Sequence, residues 1–211
     1  VVLFTAGLVA LFGYLLLSLL RHLDRTQRHL HRQAQLDALT GAYNRRHFLE
    51  LAEREWSRAK RYEMPCALLL LDVDHFRLVN EQHGQPCGDQ LLRRIAEAAL
   101  ETLRQADMLA RFGGEEFIVF LPHTDPLGAL DVAERIRERV EALGFQWNGR
   151  DVPVSASLGV AALHDHHITL DQLISDADDA LHQAKSAGRN CVRASAGLLP
   201  GRSGVLNRPL G

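Results

Sequence analysis

The stretch Arg111-Phe112-Gly113-Gly114-Glu115-Glu116-Phe117 runs straight into Ile118-Val119-Phe120-Leu121, and its reading decides the fold. Two glycines followed by two adjacent carboxylates sit at the mouth of an apolar strand. An ordinary hairpin turn prefers Asn-Gly or Asp-Gly and has no use for neighbouring like charges, which repel unless something positive lies between them. Glycines let a ligand approach the backbone closely, and glutamates can hold a hard cation. The heptamer is therefore expected to close a hairpin between strands at Met108 to Arg111 and Phe117 to Leu121. Its chemistry requires a partner carboxylate elsewhere.

Working outward, Cys66 to Val73 (CALLLLDV) is a short, continuously apolar run, as in a strand buried on both faces. A carboxylate at its end is costly unless it meets a cation. Alternation puts Asp72 and Asp74 on one face, and the hairpin carrying Glu115 is the natural neighbour. Asp72 with Glu115 makes a Mg²⁺-type site, in which few carboxylates leave room for phosphate oxygens. Two such ions can activate an attacking hydroxyl and neutralise a leaving pyrophosphate.

Around this centre the spacing predicts helices over Asn44 to Tyr62, Asp89 to Leu103, Leu127 to Leu143 and Leu170 to Ala187, the last closed by Gly188. A loop is expected at Gly84 to Gly88. Two strands are expected within Phe145 to Leu163, around Asn148-Gly149, and a short edge strand at Cys191 to Arg193. The order implies an α+β domain with a mainly antiparallel sheet over residues 37–193. Residues 194–211, rich in Gly and Pro, read as a disordered tail.

The first twenty residues, VVLFTAGLVALFGYLLLSLL, carry no charge. Roughly 20 apolar residues suffice for a transmembrane helix. Arg21, Arg25, Arg28 and Arg32 follow, so the remainder is expected on the cytoplasmic side. A signal peptide would place its basic residues before the apolar run. Leu16, Leu20, Leu23, Leu30 and Ala34 continue as a weak heptad seam, so residues 21–36 read as a helical, coiled-coil-like linker that favours a dimer. A chain beginning on Val is expected to be the end of a longer protein with a sensor before Val1. Charged residues are 24 % with formal net charge -2, so no overall field favours nucleic acid. Three cysteines without a CxxC pair argue against a disulfide framework.

Four segments, DALTGAYNRR (37–46), DVDHFRLVNEQHGQPCGD (72–89), RFGGEEF (111–117) and AKSAGRN (184–190), occur in an order and spacing that resemble GGDEF-domain diguanylate cyclases. The resemblance implies a ferredoxin-like palm, related to nucleotidyl cyclases and some polymerases. It also implies a homodimer in which each protomer binds GTP and attacks the other's α-phosphate, yielding cyclic di-GMP and two pyrophosphates. Position by position, Asp72, the Val73 carbonyl and Glu115 resemble the ligands of Mg²⁺ or Mn²⁺. Glu115 also resembles the acceptor of the 3′-hydroxyl proton, and Glu116 the second carboxylate of the motif. Asn80 and Asp89 match guanine readers, the backbone N–H groups of His75 and Phe76 a phosphate cradle, and Lys185 and Arg189 the cations on the terminal phosphates. Gly113 and Gly114 leave room for the nucleotide. Arg104 and Asp107, an RxxD just upstream, resemble the family's product-inhibition site for cyclic di-GMP. The implied location is the bacterial inner membrane, with the catalytic domain in the cytoplasm.

Two positions depart from the family pattern. Arg77 replaces the usual Lys, keeping the charge but changing its geometry, and Gln85 replaces a His that contacts nucleotide. A catalytically inactive receptor of the same fold, binding cyclic di-GMP through Arg104 and Asp107, is the alternative. His164-Asp165-His166-His167 lacks helical ligand spacing and reads as a solvated loop. The P-loop signature is absent from the sequence.

Overall fold

The computed structural model describes residues 35–196. The proposed membrane span at 1–20 and nearly all of the linker at 21–36 fall outside these residues. Among the described residues no helix is long and apolar enough to cross a membrane.

Eight strands and five helices follow in the order β1 (Tyr43–Asn44), α1 (Arg45–Arg61), β2 (Cys66–Val73), α2 (Phe76–His83), α3 (Gln85–Thr102), β3 (Met108–Arg111), β4 (Glu116–Pro122), α4 (Pro126–Glu141), β5 (Gln146–Trp147), β6 (Arg150–Asp151), β7 (Ala156–Ala162), α5 (Leu170–Ser186) and β8 (Val192–Ala194). The main sheet has strand order β1-β3-β4-β2-β7-β8. Its inner pairs are antiparallel, as expected, but β1 joins β3 and β8 joins β7 in parallel. The sheet is thus mixed rather than antiparallel. The two parallel edge strands have two or three residues each, too short for periodicity to reveal a direction.

All eight residues of β2 are buried because helices cover both faces. Leu69, Leu71 and Val73 pack with Leu91, Ile95 and Ile136 of α3 and α4. Leu68 and Leu70 pack with Phe48, Leu173 and Leu181 of α1 and α5. Cys66 fills part of that second layer, where burial pushes its thiol up to about 12. It is a core filler with little thiolate at neutral pH.

The helix boundaries have local causes. Asn44 caps α1 by accepting the His47 N–H at 2.9 Å, and Arg58, Lys60 and Arg61 complement the far end of the helix dipole. Thr169 and Gln172 form a reciprocal capping box on α5. The loop expected at 84–88 contracts to Gly84 alone, at φ +83. Pro86, a good helix starter, opens α3 at once, so Gly88 lies inside that helix. Asn148-Gly149 closes a separate two-stranded sheet, β5 with β6, ahead of β7. Of the tail expected at 194–211, residues 194–196 are described: β8 includes Ala194, and Ser195 donates its N–H to the Val160 carbonyl at 2.8 Å, while 197–211 lie outside the described residues.

Candidate active site

The β2–β4 register sets Asp72 directly opposite Glu116. Opposed antiparallel residues share a face, here the one covered by α5. From that helix Lys185 Nζ reaches Asp72 Oδ2 at 2.9 Å. Next to the pair, the Val73 N–H donates to the Glu115 carbonyl at 3.3 Å, so the hairpin mouth is stitched to the strand end. Asp72 is buried, and burial pushes its carboxyl above the ordinary range; Lys185 opposes that shift, and Glu115 and Asp74 add to it. Glu116 is likewise raised, first by burial and then by Asp72, with a further contribution from Asp178 of α5.

Hard carboxylate oxygens that raise one another's proton affinity, with one ammonium among them, suit a small divalent cation. Asp72 and Glu115, with the Val73 carbonyl between them, are the groups that could hold it, and Glu116 adds negative charge beside Asp72. Asp74 does not join them, although alternation placed it on the same face. Its oxygens accept the hydroxyls of Ser155 and Ser157, both at 2.7 Å, and the Asn190 N–H at 3.0 Å. β2 ends at Val73, so strand alternation no longer governs Asp74.

The hairpin explains its two glycines differently. A methyl on Gly113 would lie 2.5 Å from Glu116 Oε2, because that side chain folds back over the turn. Gly114 faces open space. Its carbonyl accepts from Arg111 Nε at 3.1 Å and Nη2 at 2.7 Å, while Arg111 Nη1 lies 3.4 Å from Asp37. Asp37 also ties down Thr40 through its N–H and hydroxyl. Arg45 stacks 4.5 Å above the Phe112 ring. No spacing in the sequence links Asp37 to Arg111, so this clamp emerges only from the fold, although both residues stand in the quoted segments.

Beyond the strand, His75 caps α2 in a left-handed conformation, φ +56, with no side chain bonded to the first turn. Free helix N–H groups at such a turn favour an anion. One turn on, Asn80 Oδ1 is buried without a partner. Gly88 packs against it: a methyl there would lie 2.0 Å from Asn80 Oδ1 and 3.0 Å from the Phe76 ring. A buried, orphaned amide oxygen costs free energy unless a ligand meets it. Asp89 is half-buried on α3, while Gln85 at that helix's start is exposed. Arg77 is 90 % exposed and bonded to Glu81 at 2.8 Å. Arg189 is exposed, in a left-handed corner just after α5.

Two further groups lie away from this centre. Arg104 and Asp107 form a turn, the Asp107 carboxylate accepting the Arg104 N–H at 2.8 Å, beside a cavity of about 370 Å³. The histidine tract is not simply solvated: His167 is 1 % exposed. His167 Nε2 and His166 Nε2 lie 3.1 and 3.4 Å from Asp176 Oδ2, the only convergent three-ligand set among the described residues. But His167 Nδ1 accepts the His164 N–H at 2.9 Å. The neutral ring then carries its proton on Nε2, toward Asp176, so the trio is a hydrogen-bonded strap rather than a metal centre.

This arrangement has known counterparts. The profile described as "Diguanylate cyclase, GGDEF domain" matches residues 34–191. The chain belongs to the GGDEF family. Among curated GGDEF relatives, diguanylate cyclase DosC of Escherichia coli is 38 % identical over 179 residues, 84 % of this chain. The chain spans 38 % of that protein's length. The response regulator PleD of Caulobacter vibrioides is 36 % identical, with 83 % of this chain and 40 % of that protein covered. Among solved structures, the GGDEF domain of DgcB from Caulobacter crescentus in complex with c-di-GMP superposes with TM-score 0.74 at 29 % identity, over 77 % of this chain and 96 % of that one. The active GGEEF domain of a diguanylate cyclase from Vibrio cholerae gives 0.68 at 31 %, over 72 % and 96 %. The Gly-Gly-Glu-Glu-Phe for which that domain is named stands here at Gly113 to Phe117.

Proposed function

We propose that this domain is a diguanylate cyclase that joins two GTP molecules into cyclic di-GMP. The observation that carries the reading is the register that sets Glu116 opposite Asp72, with Glu115 bonded alongside and Lys185 the counter-charge. Guanine enters between Asn80 and Asp89, where the orphaned Asn80 oxygen accepts from the base and the carboxylate takes its remaining donors. The triphosphate lies over the open first turn of α2, reached by Lys185 and Arg189. Asp72, Glu115 and the Val73 carbonyl would hold Mg²⁺ or Mn²⁺, which would supply charge stabilisation along the triphosphate.

Glu115 takes the proton of the 3′-hydroxyl. The O3′–Pα bond to the partner's nucleotide forms as the bond from Pα to the bridging β-phosphate oxygen breaks, and pyrophosphate leaves. Glu116, opposed to Asp72, keeps the site anionic, and Arg77 must leave Glu81 to face the transferring phosphate. Arg104 and Asp107 offer product a second seat. We further propose that the chain works as a homodimer anchored through residues 1–20, its catalytic domain in the cytoplasm of a bacterium.

Incubating the chain with GTP and Mg²⁺, followed by chromatography, tests the reading. Cyclic di-GMP and pyrophosphate should appear, and Glu115→Ala should lower the rate by about 10³-fold or more. Binding of cyclic di-GMP without turnover would instead identify a receptor. Full activity in Glu115→Ala would remove the proton acceptor from the mechanism.

A further inference from the structure

We propose that Asp74 is a positioning residue that fixes the corner carrying Arg189, and so aims a phosphate-binding cation from the strand end that bears Asp72. The inference rests on the cyclase reading above.

Gly188, Arg189 and Asn190 have φ of +112, +67 and +43, three consecutive left-handed residues of which two are not glycine. Side-chain-bearing residues rarely adopt this conformation, and they keep it only where surrounding bonds over-determine it. Those bonds are identifiable. The Asn190 N–H donates to Asp74 Oδ2 at 3.0 Å. Its side-chain amide donates to Glu141 Oε1 at 2.7 Å, and its Oδ1 accepts from Arg137 Nη1 at 2.9 Å. Of these side-chain anchors only Asp74 is buried, at 6 % exposure, and only Asp74 takes a backbone N–H of the corner; the helix end holds the other side, the Arg189 N–H donating to the Ala184 carbonyl at 3.1 Å.

Asp74 is itself immobilised. Ser155 and Ser157 hydroxyls bond one to each of its oxygens at 2.7 Å, and its own N–H donates to the Ser155 carbonyl at 3.0 Å. Its position two residues beyond Asp72 means that one strand end places both a carboxylate for the metal and, through Asn190, a cation for the phosphates. An alternative is that Asp74 merely caps the β2–β7 junction. The two differ in what they predict for Arg189, since a cap would act on the whole domain.

The test is steady-state kinetics of the full chain, with melting temperature measured in parallel. Asp74→Ala should raise the KM for GTP about tenfold with kcat within about threefold, and Asp74→Asn, which can still accept the Asn190 N–H, should restore most of it. In an Arg189→Ala background, Asp74→Ala should change KM by less than about twofold. Equal factors in both backgrounds, or a wild-type KM in Asp74→Ala, overturn the proposal. If Asp74→Ala fails to fold, Asn190→Gly replaces it. That variant tolerates the left-handed φ and sheds the Arg137 and Glu141 bonds but keeps the N–H that Asp74 accepts, so its KM should stay within about twofold of wild type; a rise of about tenfold would hand the corner to Arg137 and Glu141 and overturn the proposal. A wild-type chain that does not turn over GTP defeats the cyclase reading instead; loss of amide-exchange protection at 188–191 in Asp74→Ala then decides whether the corner depends on Asp74.

Discussion

At the residue scale the site is a balance of charge against burial. Asp72 and Glu116 both hold their protons to higher pH in the folded chain than an exposed carboxyl does. The stability they contribute is therefore complete below the ordinary carboxylate range and is lost as pH rises through their raised values. With divalent ions chelated, Glu116→Gln should melt higher than wild type at neutral pH. The difference should vanish near about pH 4, where the exposed group would also be protonated. Melting curves at the two pH values check this, and a variant less stable than wild type at pH 7 would contradict it. Gly88 makes a second residue-scale test. Alanine there would drive its methyl into Asn80 and Phe76, so Gly88→Ala should raise the KM for GTP by about tenfold or more. It should also cost about 1–3 kcal/mol in denaturant unfolding.

At the scale of elements, what matters is how the helix bearing Lys185 sits on the sheet. A methyl on Gly159 of β7 would lie 2.1 Å from the Ala177 carbonyl and 2.3 Å from the Leu181 N–H of α5, so helix backbone rests on strand backbone. Gly159→Ala must push α5 outward and carry Lys185 from Asp72. It should destabilise the domain by about 1–3 kcal/mol or more and reduce turnover, measured by urea unfolding and GTP assay. Much of this architecture was legible in the sequence. The unbroken apolar run of β2 announced a strand covered on both sides, and Gly113-Gly114 announced the hairpin. Long-range pairings were not. Nothing in the spacing of Asp74, Ser155 and Asn190 signals that three distant segments meet. Nor does Gly159 look different from any strand glycine until the helix above it is in place. The shortened loop at Gly84 was hidden because Pro86 reads equally well as a loop residue or a helix opener.

At the scale of the whole molecule, the proposed site in one protomer would grip one nucleotide but not supply both partners of the proposed reaction. In the proposed reaction the 3′-hydroxyl and the α-phosphate it attacks belong to different nucleotides, held in different copies. Specific activity should therefore fall as the protein is diluted below its dimer dissociation constant, the rate tending toward second-order dependence on protomer concentration. A specific activity constant over a hundredfold dilution, with sedimentation showing monomers, would contradict the two-copy arrangement.

The ammonium resting 2.9 Å from Asp72 has a last consequence. If the site loads as proposed, the event would be an exchange, since an incoming ion would first have to dislodge an occupant already bonded there. That prior engagement would weaken ion affinity, and the displaced lysine would become available to the nucleotide's tail at the same moment. Metal and triphosphate should thus arrive as a coupled pair, each easing the other's entrance.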